Sequence, residues 1–174
     1  MLDPGGGMKY AYNYETAIGR LGIAAAEEGV SNIWFGGVPV DSSTEILETP
    51  LISNAAGQIQ EYLEGCRRVF DLPLYYPGTP FQVRVWDALR EIPYGAVRSY
   101  KDIALVLGSE KAVRAVGMAN HVNPLAIIIP CHRVIGRNGS LVGYAGGLDI
   151  KRKLLALEAR DELFPEGFFR TPAL

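Results

Sequence analysis

The chain has 174 residues, enough to bury a sizeable core as one domain or two small ones. Hydrophobic residues make up 48% and charged residues 21%, ordinary for a globular chain and unlike disordered or fibrous ones. No stretch approaches the roughly 18 apolar residues that span a bilayer, and the first residues lack the basic and apolar regions of a signal peptide, so the sequence reads as cytoplasmic, with no membrane partner. Net charge is −2, yet its distribution is polar: residues 84–153 carry eleven Lys/Arg against five Asp/Glu, and residues 1–83 carry four against ten. Such a split offers an anion one basic surface while the whole molecule stays near neutral.

Residues 1–7, rich in glycine, read as a flexible leader, with Met8 as a second start. Tyr10, Tyr12 and Tyr14 alternate with Lys9, Ala11 and Asn13, the period of a strand with one buried face. Two apolar runs, 21–26 and 30–35, flank the turn-like Glu27-Glu28-Gly29 and predict an antiparallel meander. Ile52, Ala55, Ala56, Ile59, Tyr62 and Leu63 follow helical spacing, with Cys66 at the end of that helix. Prolines between Asp71 and Pro80 mark an extended connector. The fold class is α+β, with an N-terminal domain over 1–78 and a second, mostly helical one over 79–174.

Thr79-Pro80 predicts an N-cap and first helical residue, followed by an apolar face of Phe81, Val85, Ala88, Leu89 and Ile92. Ser99 and Asp102 form a capping-box pattern that starts a short helix at Tyr100. Gly108 ends it, and Ser109 is expected to cap the next helix directly, with Ala112, Val113, Val116 and Ala119 inward and Lys111 and Arg114 outward. Two short helices joined this way fit a helix-turn-helix pattern, though many helical hairpins share the spacing without touching DNA. Asn123-Pro124 breaks the chain; residues 125–129, all apolar, read as a strand that delivers Cys131 into the core. Five glycines from Gly136 to Gly147 crowd a loop, and a final helix starts near Leu148, with Glu158 close to its end.

The chemistry concentrates in Pro130-Cys131-His132-Arg133. Neighbouring cations lower a thiol pKa and make a nucleophile available at neutral pH, so this run predicts an ionised, reactive sulfur. The bland alternative is a buried structural cysteine beside a surface histidine. Neither cysteine has a second Cys or His at metal-ligand spacing, so no metal or dissociable cofactor is expected, and a reducing compartment argues against a Cys66–Cys131 disulfide.

In order along the chain stand Tyr100, Arg114-Ala115-Val116-Gly117, Asn123-Pro124, the thiol run and Gly143-Tyr144-Ala145-Gly146-Gly147-Leu148. This series resembles the O6-alkylguanine-DNA alkyltransferases, DNA repair proteins, over residues 79–158. The resemblance implies a ribonuclease-H-like N-terminal layout, though that half agrees only in outline, and double-stranded DNA containing O6-alkylguanine as partner. It implies that Cys131 takes the alkyl group irreversibly, once per chain. His132 would accept the thiol proton, Glu158 would orient the imidazole and Asn123 would organise the network. Tyr100 would give a proton to the departing guanine, and Tyr144, Ala145, Val134 and Gly146 would hold the base. Arg114 would enter the duplex from the minor groove in place of the flipped nucleotide, with Lys111, Ala115, Tyr100 and Arg133 also on the DNA. The protein would act as a monomer, with cooperative loading on DNA left open. Departures from common family forms fall at Asn120-His121-Val122, where relatives often carry a further basic residue and a glycine, and at Ala145, where some carry serine. Two other readings stay open: a damage-binding relative without transfer, against which Cys131 speaks, and a thiol hydrolase that turns over.

Overall fold

The computed structural model describes residues 9–40 and 44–159, so the expected leader lies outside the described residues. The chain divides between Tyr76 and Pro77 into two compact units. Among the described residues the fold is mixed α/β, with one four-stranded sheet and five α-helices, and no helix is long and apolar enough to cross a membrane.

In the first unit, strands β1 (Tyr10–Thr16), β2 (Gly19–Ala26) and β3 (Gly29–Phe35) form the antiparallel meander, and the two-residue β4 (Glu45–Ile46) adds to β1 in parallel. The sheet order is β3-β2-β1-β4. In β1 it is Ala11 that is fully buried, while Tyr12 is exposed and stacks edge-on against Tyr14, so the tyrosines line the wetter face of the strand. Helix α1 (Pro50–Leu63) covers the sheet with Ile52, Ala55, Ile59 and Tyr62. Thr49 caps it through the Ile52 amide, with Pro50 in the first turn where its missing N–H costs nothing.

The second unit opens with α2 (Pro80–Arg90), capped by the reciprocal Thr79–Gln82 box. Its buried residues include Trp86, whose indole N–H donates to the Ala119 carbonyl at 2.9 Å and ties α2 to a later helix. The pair β5 (Arg98–Ser99) runs into α3 (Tyr100–Val106), where Ser99 and Asp102 complete the expected capping box. Ser109 behaves otherwise. It makes no side-chain cap, and a 3-10 turn, Glu110–Ala112, precedes α4 (Val113–His121), so this helix starts three residues later than its sequence suggests.

The expected strand over 125–129 is absent. All five residues are buried, but Asn123 Oδ1 accepts from the Leu125 amide, its Nδ2 donates to the Ile129 carbonyl, and the Ile129 amide donates back to Leu125 O. Side-chain bonding to the backbone wins over extended pairing and folds the run back on itself. Ile127 takes φ +77°, which a β-branched residue adopts only under constraint. The chain then enters the turn Cys131–Arg133 and β6 (Val134–Ile135), paired in parallel with β5. This small pairing sets the start of α3 beside the thiol turn. Helix α5 (Leu148–Ala159) closes the unit, with Lys151, Leu154, Leu155 and Glu158 on one buried stripe.

Candidate active site

Cys131, only 5% exposed, forms part of the wall of a cavity of about 340 Å3, within the range of small-ligand sites. Tyr100 comes from α3; Val113, Gly117, Asn120 and His121 come from α4; Val142, Gly143 and Tyr144 come from the glycine-rich loop. Gly143 holds φ +41°, a left-handed conformation that glycine tolerates without a Cβ clash, and so lets that loop bend at the cavity wall.

Behind the sulfur lies a buried polar network. His132 is 0% exposed, and its Nε2 lies 2.8 Å from Glu158 Oε1. Glu158 also accepts from Arg133 Nε and Nη2, each at 2.9 Å, and from the Gly95 amide at 3.1 Å. Burial alone would raise the Glu158 carboxyl, but the bonds and charges of His132 and Arg133 hold it well below the usual carboxylate range. Burial pushes His132 down despite Glu158, so the imidazole is neutral at neutral pH. An ionised carboxylate only accepts; Nε2 therefore carries the hydrogen and Nδ1 is the proton acceptor.

The cation acting on the sulfur comes from α5. Lys151 is 0% exposed and donates to Val134 O at 2.7 Å and Val142 O at 3.0 Å. Burial draws its ammonium down to about 8, against the opposing pull of Cys131. Tyr100 donates its hydroxyl proton to the same Val142 carbonyl at 3.1 Å, and burial pushes this phenol up to about 12. Burial likewise pushes the Cys131 thiol up, and neither the Asn123 hydrogen bond nor the Lys151 charge reverses the shift. The expected resting thiolate is thus corrected: desolvation keeps the thiol protonated until a base takes its proton.

Residues 80–160 match the family model described as 6-O-methylguanine DNA methyltransferase, DNA binding domain. The constitutive methylated-DNA--protein-cysteine methyltransferase of Bacillus subtilis is 49% identical over 158 residues, covering 87% of this chain and 96% of that protein. The corresponding protein of Methanosarcina acetivorans is 47% identical over 154 residues, covering 87% and 98%. The crystal structure of Mycobacterium tuberculosis OGT in complex with DNA superposes with a TM-score of 0.80 at 42% identity, covering 86% of this chain and 92% of that one. The chain belongs to the methylated-DNA--protein-cysteine methyltransferases. Family membership was legible in the sequence motifs; the site geometry sorts their residues more finely.

In this methyltransferase Cys131, Tyr100 and Tyr144 meet at the cavity, His132 and Glu158 lie in the buried network behind it, and Asn123, also buried, acts on Cys131 and holds the backbone of Leu125 and Ile129. Val134 is buried in β6 and presents its carbonyl to Lys151; Gly146 is half-buried and Ala145 exposed on the loop. Lys111, Arg114 and Ala115 are exposed on the 3-10 turn and α4. Arg133 is placed differently from its expected DNA contact. It is 7% exposed, spends its guanidinium on Glu158 and Ile92 O, and lies 5.8 Å from the centre of the Tyr94 ring. Lys151 and Asn120, to which the sequence assigned no role, also enter the site. Their signal was periodicity: Lys151 precedes Leu154, Leu155 and Glu158 by three, four and seven positions, and Asn120 follows Val116 by four. Cys66 is exposed and Cys131 buried, both free.

Proposed function

We propose that this chain reverses DNA alkylation by moving the alkyl group from O6 of guanine to Cys131, once per molecule. The observation that carries the reading is a covered thiol on the wall of a base-sized cavity, backed by a neutral imidazole that a carboxylate orients. His132 takes the thiol proton, through a water in the family's mechanism, and Glu158 stabilises the imidazolium. Sulfur displaces the alkyl carbon from oxygen, and the thioether has no route back to a thiol. Tyr100 gives a proton to the departing base, which offsets its developing charge. Backbone groups of Cys131, Val134 and Ala145 read the guanine edge, with Gly146 beside them and Tyr144 on the pocket wall.

A stacked base cannot reach this sulfur, so the nucleotide must leave the helix at a cost of a few kcal/mol. Helices α3 and α4 act as a helix-turn-helix, with α4 in the minor groove and Arg114 filling the vacated place. A minor groove that carries little sequence information suits damage that arises anywhere. Lys111 and Ala115 lie along the same exposed surface, which gives the second unit, here read as 79–174, the DNA-binding and acceptor roles. The N-terminal domain expected over 1–78 is read as the ribonuclease-H-like layout of the family, and the protein as a cytoplasmic monomer.

Duplex DNA carrying O6-methylguanine, mixed in excess with the protein, should transfer methyl groups to a plateau of about one per chain, counted by intact mass. Continued turnover would establish a hydrolytic thiol instead, and binding without transfer a damage-recognition protein.

A further inference from the structure

One buried carboxamide plays no part in the chemistry above. Asn120 sits on the inner stripe of α4, is 8% exposed, and lines the cavity with Tyr100 and Cys131. Neither its Oδ1 nor its Nδ2 reaches full hydrogen-bond geometry with a partner in the protein, although the side chain lies close enough to the Tyr100 hydroxyl to act on it. A buried amide left unsatisfied is costly, and such groups in folded proteins ask for an explanation. Here the explanation lies next to it. The Tyr100 hydroxyl turns its proton to Val142 O, yet the Asn120 amide bears on the same phenol oxygen and favours its ionised form.

We propose that Asn120 is a positioning residue for the transfer: with a base in the cavity, its amide N–H donates to the Tyr100 oxygen and turns the hydroxyl proton from Val142 O toward the departing guanine. This rests on the transfer reading above and deepens it. The phenol has one proton to give and an oxygen that must carry charge as it leaves. An amide donor holds that oxygen, fixes the direction of the O–H bond and stabilises the tyrosinate as it forms. In the step itself the S–C bond forms and the C–O6 bond breaks, with the electron pair passing into the base. A ring nitrogen of the base takes the Tyr100 proton. The thiol proton has gone to His132, and solvent carries it from imidazolium to tyrosinate, so charges balance.

The test is a double-mutant cycle on single-turnover methyl transfer from saturating O6-methylguanine duplex, with wild type, Asn120→Leu, Tyr100→Phe and the pair. Asn120→Leu should slow transfer about tenfold, a part of what general-acid catalysis supplies, with DNA affinity held within about twofold. The double variant should be no slower than Tyr100→Phe alone, because the amide acts only through the hydroxyl. Asn120→Gln, which keeps the donor, should recover part of the rate. Multiplying losses, or a wild-type rate in Asn120→Leu, overturn the proposal. If the leucine variant does not fold, Asn120→Ser removes the amide at smaller volume and is read by the same cycle. A wild-type chain that transfers nothing to Cys131 overturns the transfer reading itself, whereas transfer with independent losses overturns Asn120's part alone.

Discussion

The two units each carry one cysteine, and the pair differ in exposure and in the groups that surround the sulfur. Cys66 follows the end of α1, exposed, with its thiol 4.0 Å from the Glu64 carbonyl. Cys131 is 5% exposed, its thiol raised by burial, with Asn123 and Lys151 acting on it. By accessibility alone Cys66 would be the reactive one. The comparison teaches that a nucleophile meant for one reactant is made by its surroundings: a cavity that admits the substrate, a base to take the proton and a cation to steady the charge.

The largest effect should come from exchanging the two residues' fates. Cys131→Ser should lose transfer entirely while retaining duplex affinity, and Cys66→Ser should plateau at the same one methyl per chain; mass spectrometry of the methylated protein reads both. Transfer surviving in Cys131→Ser would end the contrast. A smaller effect is expected from the network behind Cys131. Glu158→Gln removes the charge that holds buried Arg133 and His132, and should cost about 3 kcal/mol in urea unfolding as well as slow transfer.

The acid response of the wild type follows from the same groups. His132 is held below its ordinary 6.5, so below that value the unfolded chain binds a proton that the folded chain refuses, and stability falls as pH drops. Glu158 is held below its ordinary 4.5, so its contribution is complete above 4.5 and is lost as pH falls through the folded value. Urea midpoints should therefore decline from pH 7 to about 2.5, and Glu158→Gln should flatten the part of that slope below 4.5. An equal slope in both proteins would remove Glu158 from the account. The finest distinction concerns Lys151. In a Cys66→Ser background, Lys151→Met should move the pH profile of Cys131 alkylation by iodoacetamide upward and slow it near pH 7, since the neutral side chain no longer favours the thiolate. An unmoved profile would assign Lys151 only its two backbone bonds.

Much of this site could be read from the chain because its signals are local. The Thr79 and Ser99 caps, the meander turn and the glycine loop each depend on a few adjacent residues, and the Cys-His pair is contiguous. What was hidden depends on burial. Lys151, Arg152 and Lys153 are three basic residues in a row, and only the register of α5 decides that the first turns inward and the third outward. Arg133 looks like a phosphate contact until Glu158, twenty-five residues later, is found paired with it. The thiol's ionisation is hidden for the same reason: adjacency in sequence offers His132 and Arg133 as its cations, but folding turns both toward Glu158 and leaves desolvation to dominate. Residues 125–129 failed as a strand because Asn123 competes for their backbone, a contest that apolar composition does not record.

Ile127 carries a consequence of its own. Its left-handed backbone costs about 1–3 kcal/mol, and burying its side chain returns a similar amount, about 1.5–3 kcal/mol. Glycine would relieve the first, but it would forfeit the second, leave a cavity in the core and loosen the unfolded chain, so isoleucine remains the more stable residue there. Four positions before the sulfur, a strained backbone is thus held in place by the packing of a single aliphatic side chain.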